Sequence, residues 1–438
     1  MNKNKFFALA KEVGIETAEL KRSASTSISF SIFKNEVESF QISDSISISA
    51  RGIVNGKFGA ASTNKDDKLV STFLVNEILD TAKLVETEEK AIIFKGSDHY
   101  VKRNVFSSAL EAYPTDKKIE LMLQIEKLIL QGDKRITDVQ IYYEEESSES
   151  SLFNSYGLNL KTKTNYFVMY ASLTLREEEE VRTSFKILLS NNIDDIKPDI
   201  FAAEAIKEGL AKLHATQCDS GKYKVIMNQE STASLLGAFI DSLSAEDVQK
   251  KSSLLANKLN EAVASDKVTI KELPTNKSVF FTGFDDEGVA TYNKDLIKKG
   301  ILKTYLYNLT TADKDGVSST GNGYGGSKIG IGTTCLTLVP GKSSLEELFQ
   351  KIGTGIYIEE LTGLHAGLDP KSGNFSLQSQ GHMIREGKLA EALTLITISG
   401  NLFDLWKNVK AVANDSKILT NSTSSPSIYI KELSVSGK

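Results

Sequence analysis

The sequence predicts an α+β protein in three units: an N-terminal α/β layer over residues 1–110, a middle α+β unit over 111–218, and a predominantly β, barrel-like unit over 219–438. Three observations carry that prediction. Apolar residues alternate with serines near the N-terminus, which is the period of a half-buried strand. Apolar stripes of helical spacing then interrupt the strand patterns as far as residue 218. Beyond Asp219-Ser220-Gly221-Lys222, many short strand patterns are separated by glycines.

Residues 1–12 read as an amphipathic helix, because Lys11 and Glu12 end the apolar stretch too early for a secretory signal. Ile28, Phe30 and Ile32 alternate with Ser27, Ser29 and Ser31, and Ile46 and Ile48 with Ser45, Ser47 and Ser49, predicting strands. Asn55-Gly56 predicts a tight hairpin turn with positive φ. Leu69, Phe73, Val75, Ile78, Leu79 and Ala82 form one helical stripe, and Ile119, Leu121, Met122, Ile125, Leu128 and Ile129 another. Strands are expected over 137–144, 151–155, 161–175 and 181–188, with the acidic runs 144–146 and 177–180 as solvated turns between strands. Residues 198–214 fit a helix with Pro198 in its first turn. Ser244 reads as the N-cap of a helix continuing through Leu254, Leu255, Leu259 and Val263.

A chain of 438 residues can bury a core without help from a metal or disulfides. The net charge of −5 and pI near 5.7 provide no positive field for phosphates or anionic lipid, so direct nucleic-acid binding and membrane attachment are not expected. No stretch has the apolar length of a membrane span, and Cys218 and Cys335 form neither a disulfide framework nor a metal-type pair. A reducing cytoplasm fits these features.

The run Gly321-Asn322-Gly323-Tyr324-Gly325-Gly326 lacks the Gly-Lys-Ser/Thr ending and strand-to-helix setting of a phosphate loop, so a flexible loop is expected. His99, His214, His365 and His382 are too far apart for helical ligand spacing. The triplet Asp285-Asp286-Glu287 has the chemistry to bind a hard cation or act as acid and base. Without EF-hand spacing, the favoured reading is structural, the carboxylates accepting backbone N–H bonds or pairing with basic side chains.

Several strings occur in an order that is itself informative. Phe284-Asp285-Asp286-Glu287-Gly288-Val289-Ala290-Thr291 leads to Leu296-Ile297-Lys298-Lys299-Gly300-Ile301-Leu302-Lys303-Thr304-Tyr305-Leu306. Ser319-Thr320-Gly321-Asn322-Gly323, Pro340-Gly341, Gly355-Ile356-Tyr357-Ile358, Ser372-Gly373-Asn374-Phe375-Ser376 and Ile398-Ser399-Gly400-Asn401-Leu402 follow. Near the N-terminus stands Asn55-Gly56-Lys57-Phe58-Gly59-Ala60-Ala61-Ser62-Thr63. Together they resemble the TldD/PmbA peptidase family, also called the modulators of DNA gyrase, and most closely its PmbA/TldE-type subunit.

The resemblance implies a cytosolic metallopeptidase system that trims or degrades unfolded peptides. It implies that a TldD-type subunit carries His-Glu-x-x-x-His on a helix and a later cysteine as zinc ligands, while a PmbA-type subunit pairs with it and supplies none. A catalytic zinc needs three protein ligands, an open position for water and a carboxylate to accept the water's proton. Here Glu230 keeps the glutamate position, Gln229 and Ser234 stand at the histidine positions, and residues 415–438 contain no cysteine. No cofactor is therefore expected in this chain, and zinc only in a catalytic partner. Glu230 itself is expected to be a first-turn carboxylate favoured by the helix dipole.

The expected partners are a TldD-type catalytic subunit, an extended peptide substrate bound at a sheet edge, and in isolation a second copy of the chain. Asp285, Asp286, Glu287, Gly321, Asn322 and Gly323 are the candidate lining for the substrate. Two other readings stand beside this one. The first is a self-sufficient peptidase with a relocated site at His365, His382 or the 285–287 triplet. The second is a regulator that binds another protein, of the gyrase or antitoxin type.

Overall fold

The structure is a computed structural model that describes residues 1–86 and 89–438. Helix α1 (Lys3–Glu12) is capped by Asn2, whose side chain accepts from the Asn4 and Lys5 amides. Strands β1 (Thr17–Phe33), β2 (Glu36–Val54) and β3 (Lys57–Thr63) precede α2 (Val70–Leu84). Asn55 and Gly56 take φ of 50° and 74°, as the tight β2–β3 turn requires. After α3 (Ser108–Ala112) and α4 (Thr115–Gly132) come β4 (Ile136–Asn154), β5 (Asn159–Glu177), β6 (Glu180–Ser190) and α5 (Pro198–Leu210).

These strands form one six-stranded antiparallel sheet in the order β3-β2-β1-β4-β5-β6. The two N-terminal units thus share a sheet, while each keeps its own core beneath its own helices. Strand β1 enters both cores: Leu20 packs with Leu74 and Ile78 of α2, and Phe30 and Ile32 join Ile125 of α4 and Phe201 of α5. The serines that alternate with these apolar residues lie on the opposite face. There Ser23 bonds Ser150, Ser25 bonds Ser45, and Ser148 bonds Thr164 across neighbouring strands.

Two strand expectations are corrected. Segments 137–144 and 151–155 belong to one strand, β4, and the acidic run 144–146 lies in its middle instead of a turn. Glu145 is buried there and accepts bonds from Lys118 Nζ at 2.5 Å and the Tyr143 hydroxyl at 2.7 Å, partners that take the place of solvent. Run 177–180 does form the β5–β6 turn.

The C-terminal region begins with β7 (Gly221–Met227), α6 (Gln229–Asp241), α7 (Ala245–Gln249), β8 (Ile270–Glu272), β9 (Lys294–Lys298), β10 (Ile301–Leu302) and α8 (Leu309–Asp315). Next come β11 (Gly323–Gly325), β12 (Ile329–Ile331), β13 (Leu336–Leu338), α9 (Leu345–Ile352), β14 (Gly355–Thr362), α10 (Leu364–Gly367), β15 (Asn374–Arg385) and β16 (Lys388–Asn401). The chain closes with α11 (Leu402–Lys407), β17 (Val409–Val412), β18 (Lys417–Ile418), β19 (Ser424–Ser425) and β20 (Ile428–Ser436).

Strands β7, β14, β15, β16 and β20 pair in a closed ring, the barrel of the expected fold class. Successive β7 residues point to opposite faces. Val225 and Met227 enter the large core with Phe239 of α6 and Trp406 of α11, and Ile226 enters a smaller core under α9. That burial on both faces explains the unbroken apolar run Val225-Ile226-Met227. The helix expected from Ser244 through Val263 stops at Gln249. Ser244 makes no side-chain cap bond, Lys251 and Asn257 take positive φ, and Leu254 and Leu259 are exposed. Among the described residues no helix is long and apolar enough to cross a membrane.

Candidate functional site

Helix α6 starts directly after β7 because Asn228 caps it, its side chain accepting from the Ser231 amide at 2.8 Å. This presents Gln229, Glu230 and Ser234 on the first turns. Gln229 Nε2 donates to the main-chain oxygen and to Oδ2 of Asp415, each at 2.9 Å. Asp415 also accepts from the Ser427 amide at 2.8 Å and from the Ser427 hydroxyl at 2.7 Å. Exposed Glu230 pairs with Lys417 Nζ at 2.9 Å, and Ser234 Oγ donates back to the Glu230 carbonyl at 3.0 Å.

This donor set does not fit a zinc ion. Gln229 turns its N–H toward a carboxylate, Ser234 is engaged as a donor to its own helix, and a lysine ammonium already neutralises Glu230. The C-terminal tail does approach the helix where the resemblance implies the further ligand, but it brings Asp415 and Lys417. Among the described residues no group of three or more His, Cys, Asp or Glu side chains is arranged to hold a metal.

The acidic triplet forms a buried node between the N-terminal sheet and the C-terminal region. Asp285 Oδ1 accepts from the Glu287 and Val289 amides at 3.0 and 2.9 Å, and its Oδ2 from the Gly323 amide at 2.9 Å. Asp286 accepts from the Gly325 amide at 2.9 Å and pairs with Lys21 of β1. Glu287 accepts from the Leu309 amide at 2.8 Å and lies 3.8 Å from Arg51 of β2, which also binds Glu19 at 2.8 Å. Burial pushes the Asp285 carboxyl up to about 8, helped by the charge of Glu287. Burial likewise raises Glu287 to about 7 against the opposing pull of Arg51. The segment before α3 straps the node in place, Tyr100 donating to the Gly288 carbonyl at 2.7 Å.

The candidate lining is therefore mostly beneath the surface. Asp285, Glu287, Gly321, Asn322 and Gly323 are all buried, and Asp286 lines the cleft described below. Burial has a clear cause at Asn322, whose Nδ2 donates to both Glu272 oxygens at 2.9 and 3.0 Å and to the Gly332 carbonyl at 2.8 Å. The glycine run is not a flexible loop: 323–325 is strand β11, paired with β12. A Cβ at position 323 would collide with the Glu287 carboxylate, which is why glycine stands there.

The histidines do not converge. His382 has both ring nitrogens engaged, Nδ1 with Glu359 at 2.6 Å and Nε2 with the Ala211 carbonyl at 2.8 Å. His365 and His99 are exposed, and His214 lies in the β5–β6 turn region, 3.2 Å from Glu177.

What the sequence reading missed is a cleft of about 500 Å³ between the serine face of the sheet and the C-terminal region. Ser23, Ser150, Thr162 and Thr164 form one wall, with Tyr166, Phe280 and Tyr324 among the aromatic residues around it. Its two charged lining residues, Lys21 and Asp286, neutralise each other. Ser23 lies on the same face of β1 as the alternating Ser27, Ser29 and Ser31, and that alternation is the signal of this wall in the sequence. The loop holding Thr420 and Ser422 also lines the cleft, and Lys417 at its start binds Glu230 of α6.

Comparison with known proteins fits this architecture along its length. Sequence models for domain 1, the central domain and the C-terminal domain of the PmbA/TldA metallopeptidases match residues 18–88, 109–213 and 220–437. Metalloprotease PmbA of Escherichia coli O157:H7 is 28% identical over 444 residues, spanning 96% of this chain and 92% of that protein. A Thermotoga maritima MSB8 protein described as a proposed modulator of DNA gyrase superposes with TM-score 0.90 at 29% identity, covering 99% of each chain. TldE of Thermococcus kodakarensis shares the fold, with TM-score 0.91 at 22% identity over 99% of this chain and 100% of that one. Three domain matches in order and two-way coverage near full length place the chain in the PmbA/TldD metallopeptidase family.

Proposed function

We propose that this chain is a PmbA/TldE-type, non-catalytic subunit of a two-component peptidase, binding no zinc itself and helping a TldD-type partner hold extended peptide. The observation that carries the reading is the start of α6. Where the partner would seat zinc, the Gln229 amide is bonded to Asp415 and the Lys417 ammonium sits on Glu230. A lysine already paired with that carboxylate opposes the approach of a second cation. The neutral, hydroxyl-rich cleft supports a role in holding uncharged stretches of polypeptide.

A self-sufficient peptidase is not favoured, because the 285–287 node is closed by backbone donors and both nitrogens of His382 are occupied. The cytoplasmic setting remains part of the proposal. The test is elemental analysis of the purified chain after dialysis against a weak chelator, with peptide cleavage assayed alone and with a His-Glu-x-x-x-His partner. Zinc well below one per chain and cleavage only with the partner are expected. One tightly held zinc per chain, or chelator-sensitive cleavage by the chain alone, overturns the reading.

A further inference from the structure

Strand β2 is paired on both sides only along its second half. β3 meets it over 48–54, whereas over 36–47 its outer edge has no strand beside it among the described residues, and every residue there is exposed or half-exposed. Natural sheets protect such an edge with charged side chains, lysine above all, with proline, with a bulge or with a covering segment. The stretch Glu36-Val37-Glu38-Ser39-Phe40-Gln41-Ile42-Ser43-Asp44-Ser45-Ile46-Ser47 has a bulge at Glu38 and three acidic residues but no lysine or proline, so an approaching strand that carries basic residues is not repelled. Val37, Phe40 and Ile42 stand opposite Ile32, Phe30 and Ile28, so they share the helix-bearing face, yet they are 42%, 49% and 60% exposed. A free ladder of main-chain groups beside a row of uncovered apolar side chains is the surface that an added strand completes.

We propose that this edge receives an extended polypeptide segment that adds alongside β2 over 36–47. Its alternate apolar side chains would pack beside Phe40 and Ile42, and basic residues would face Glu36, Glu38 and Asp44. The stretch spans roughly 40 Å at about 3.3 Å per residue, and main-chain bonds along it tolerate many sequences. A second copy is a poor occupant. Antiparallel self-pairing centred on Ile42 sets Phe40 against Asp44 in both halves. Calling the segment a peptidase substrate rests on the function proposed above; its binding does not.

The probe is a fluorescein-labelled peptide of about ten residues, alternating valine and threonine with a lysine at each end, followed by anisotropy on the full chain. Two controls carry glutamate at each end or a central proline pair. The lysine-ended peptide should bind at least roughly tenfold more tightly than either control. Ile42→Lys should weaken it by at least about tenfold with the thermal midpoint unchanged, and Glu36→Lys with Asp44→Lys should shift preference to the glutamate-ended peptide. Equal binding of all three peptides, or no effect of Ile42→Lys, overturns the proposal. So does a concentration-dependent dimer, abolished by Ile42→Lys, that binds no peptide. Zinc content and partner-dependent cleavage are read separately, so failure at this edge is distinct from failure of the proposed function.

Discussion

The side-chain amide of Gln229 and the carboxylate of Asp415 are held together at 2.9 Å, tying the first turn of α6 to the C-terminal tail. Asp415→Ala removes the acceptor of both Ser427 donors and one of the two acceptors of Gln229 Nε2, whose bond to the main-chain oxygen of residue 415 remains. A loss of about 2–3 kcal/mol is expected, since buried donors left unpaired forfeit their hydration. Urea unfolding of the variant checks it, and a change below about 0.5 kcal/mol would mean that the tail is not anchored this way.

Arg51 is the nearest positive charge to two buried carboxylates, Glu19 and Glu287. Arg51→Met leaves both without it, and a loss of about 3–5 kcal/mol is expected. Combining it with Glu287→Gln should restore part of that loss in a double-mutant cycle. Strictly additive effects would show that Arg51 and Glu287 are not coupled.

Stability should fall as pH rises toward 8. The folded values of about 8 for Asp285 and about 7 for Glu287 lie above those of free carboxyls, so between about pH 4 and those values the native state holds more protons than the unfolded chain. Their contribution is fully present below about pH 4 and is lost as pH climbs through the folded values. One such proton corresponds to at most about 1.4 kcal/mol per pH unit. Denaturation from pH 5.5 to 8.5 should show a decline that is shallower in Glu287→Gln; parallel profiles for the two proteins would contradict the assignment.

Gly323→Ala should cost about 1–3 kcal/mol, because the new methyl group collides with the Glu287 carboxylate. Gly326→Ala, with nothing within 4 Å of its added Cβ, is the matched control. Comparable thermal midpoints for the two variants would argue against a tightly packed node.

Much of the N-terminal fold was legible because its signals are local. The alternation at Ile28, Phe30 and Ile32 and the stripe of α4 record burial on one face of a single element, and Asn55-Gly56 records a turn with positive φ; in α2 the stripe holds at Val75, Ile78 and Ala82, whereas Leu69 and Phe73 are exposed. The acidic run 144–146 was misread because Glu145 is made tolerable by Lys118, whose approach depends on how α4 packs on the sheet. The helix expected beyond Ser244 fails for a related reason: Leu255 and Val263 do reach the core, but from irregular backbone in which Lys251, Asn257 and Asn260 take positive φ. The carboxylates of the acidic triplet accept backbone N–H bonds and face basic side chains, and Asp285 and Glu287 are buried together with Gly321, Asn322 and Gly323, partners that lie far off in sequence.

By itself the sequence determined the fold class, the family and the absence of imidazole at the start of α6, because these depend on residue type and order along the chain. Only the tertiary structure decided what fills that place, which carboxylates are buried and which edge of the sheet stays open. Those properties belong to pairs such as Gln229 with Asp415 and Arg51 with Glu287, which are distant in sequence and are brought into contact only when the sheet and barrel pack together.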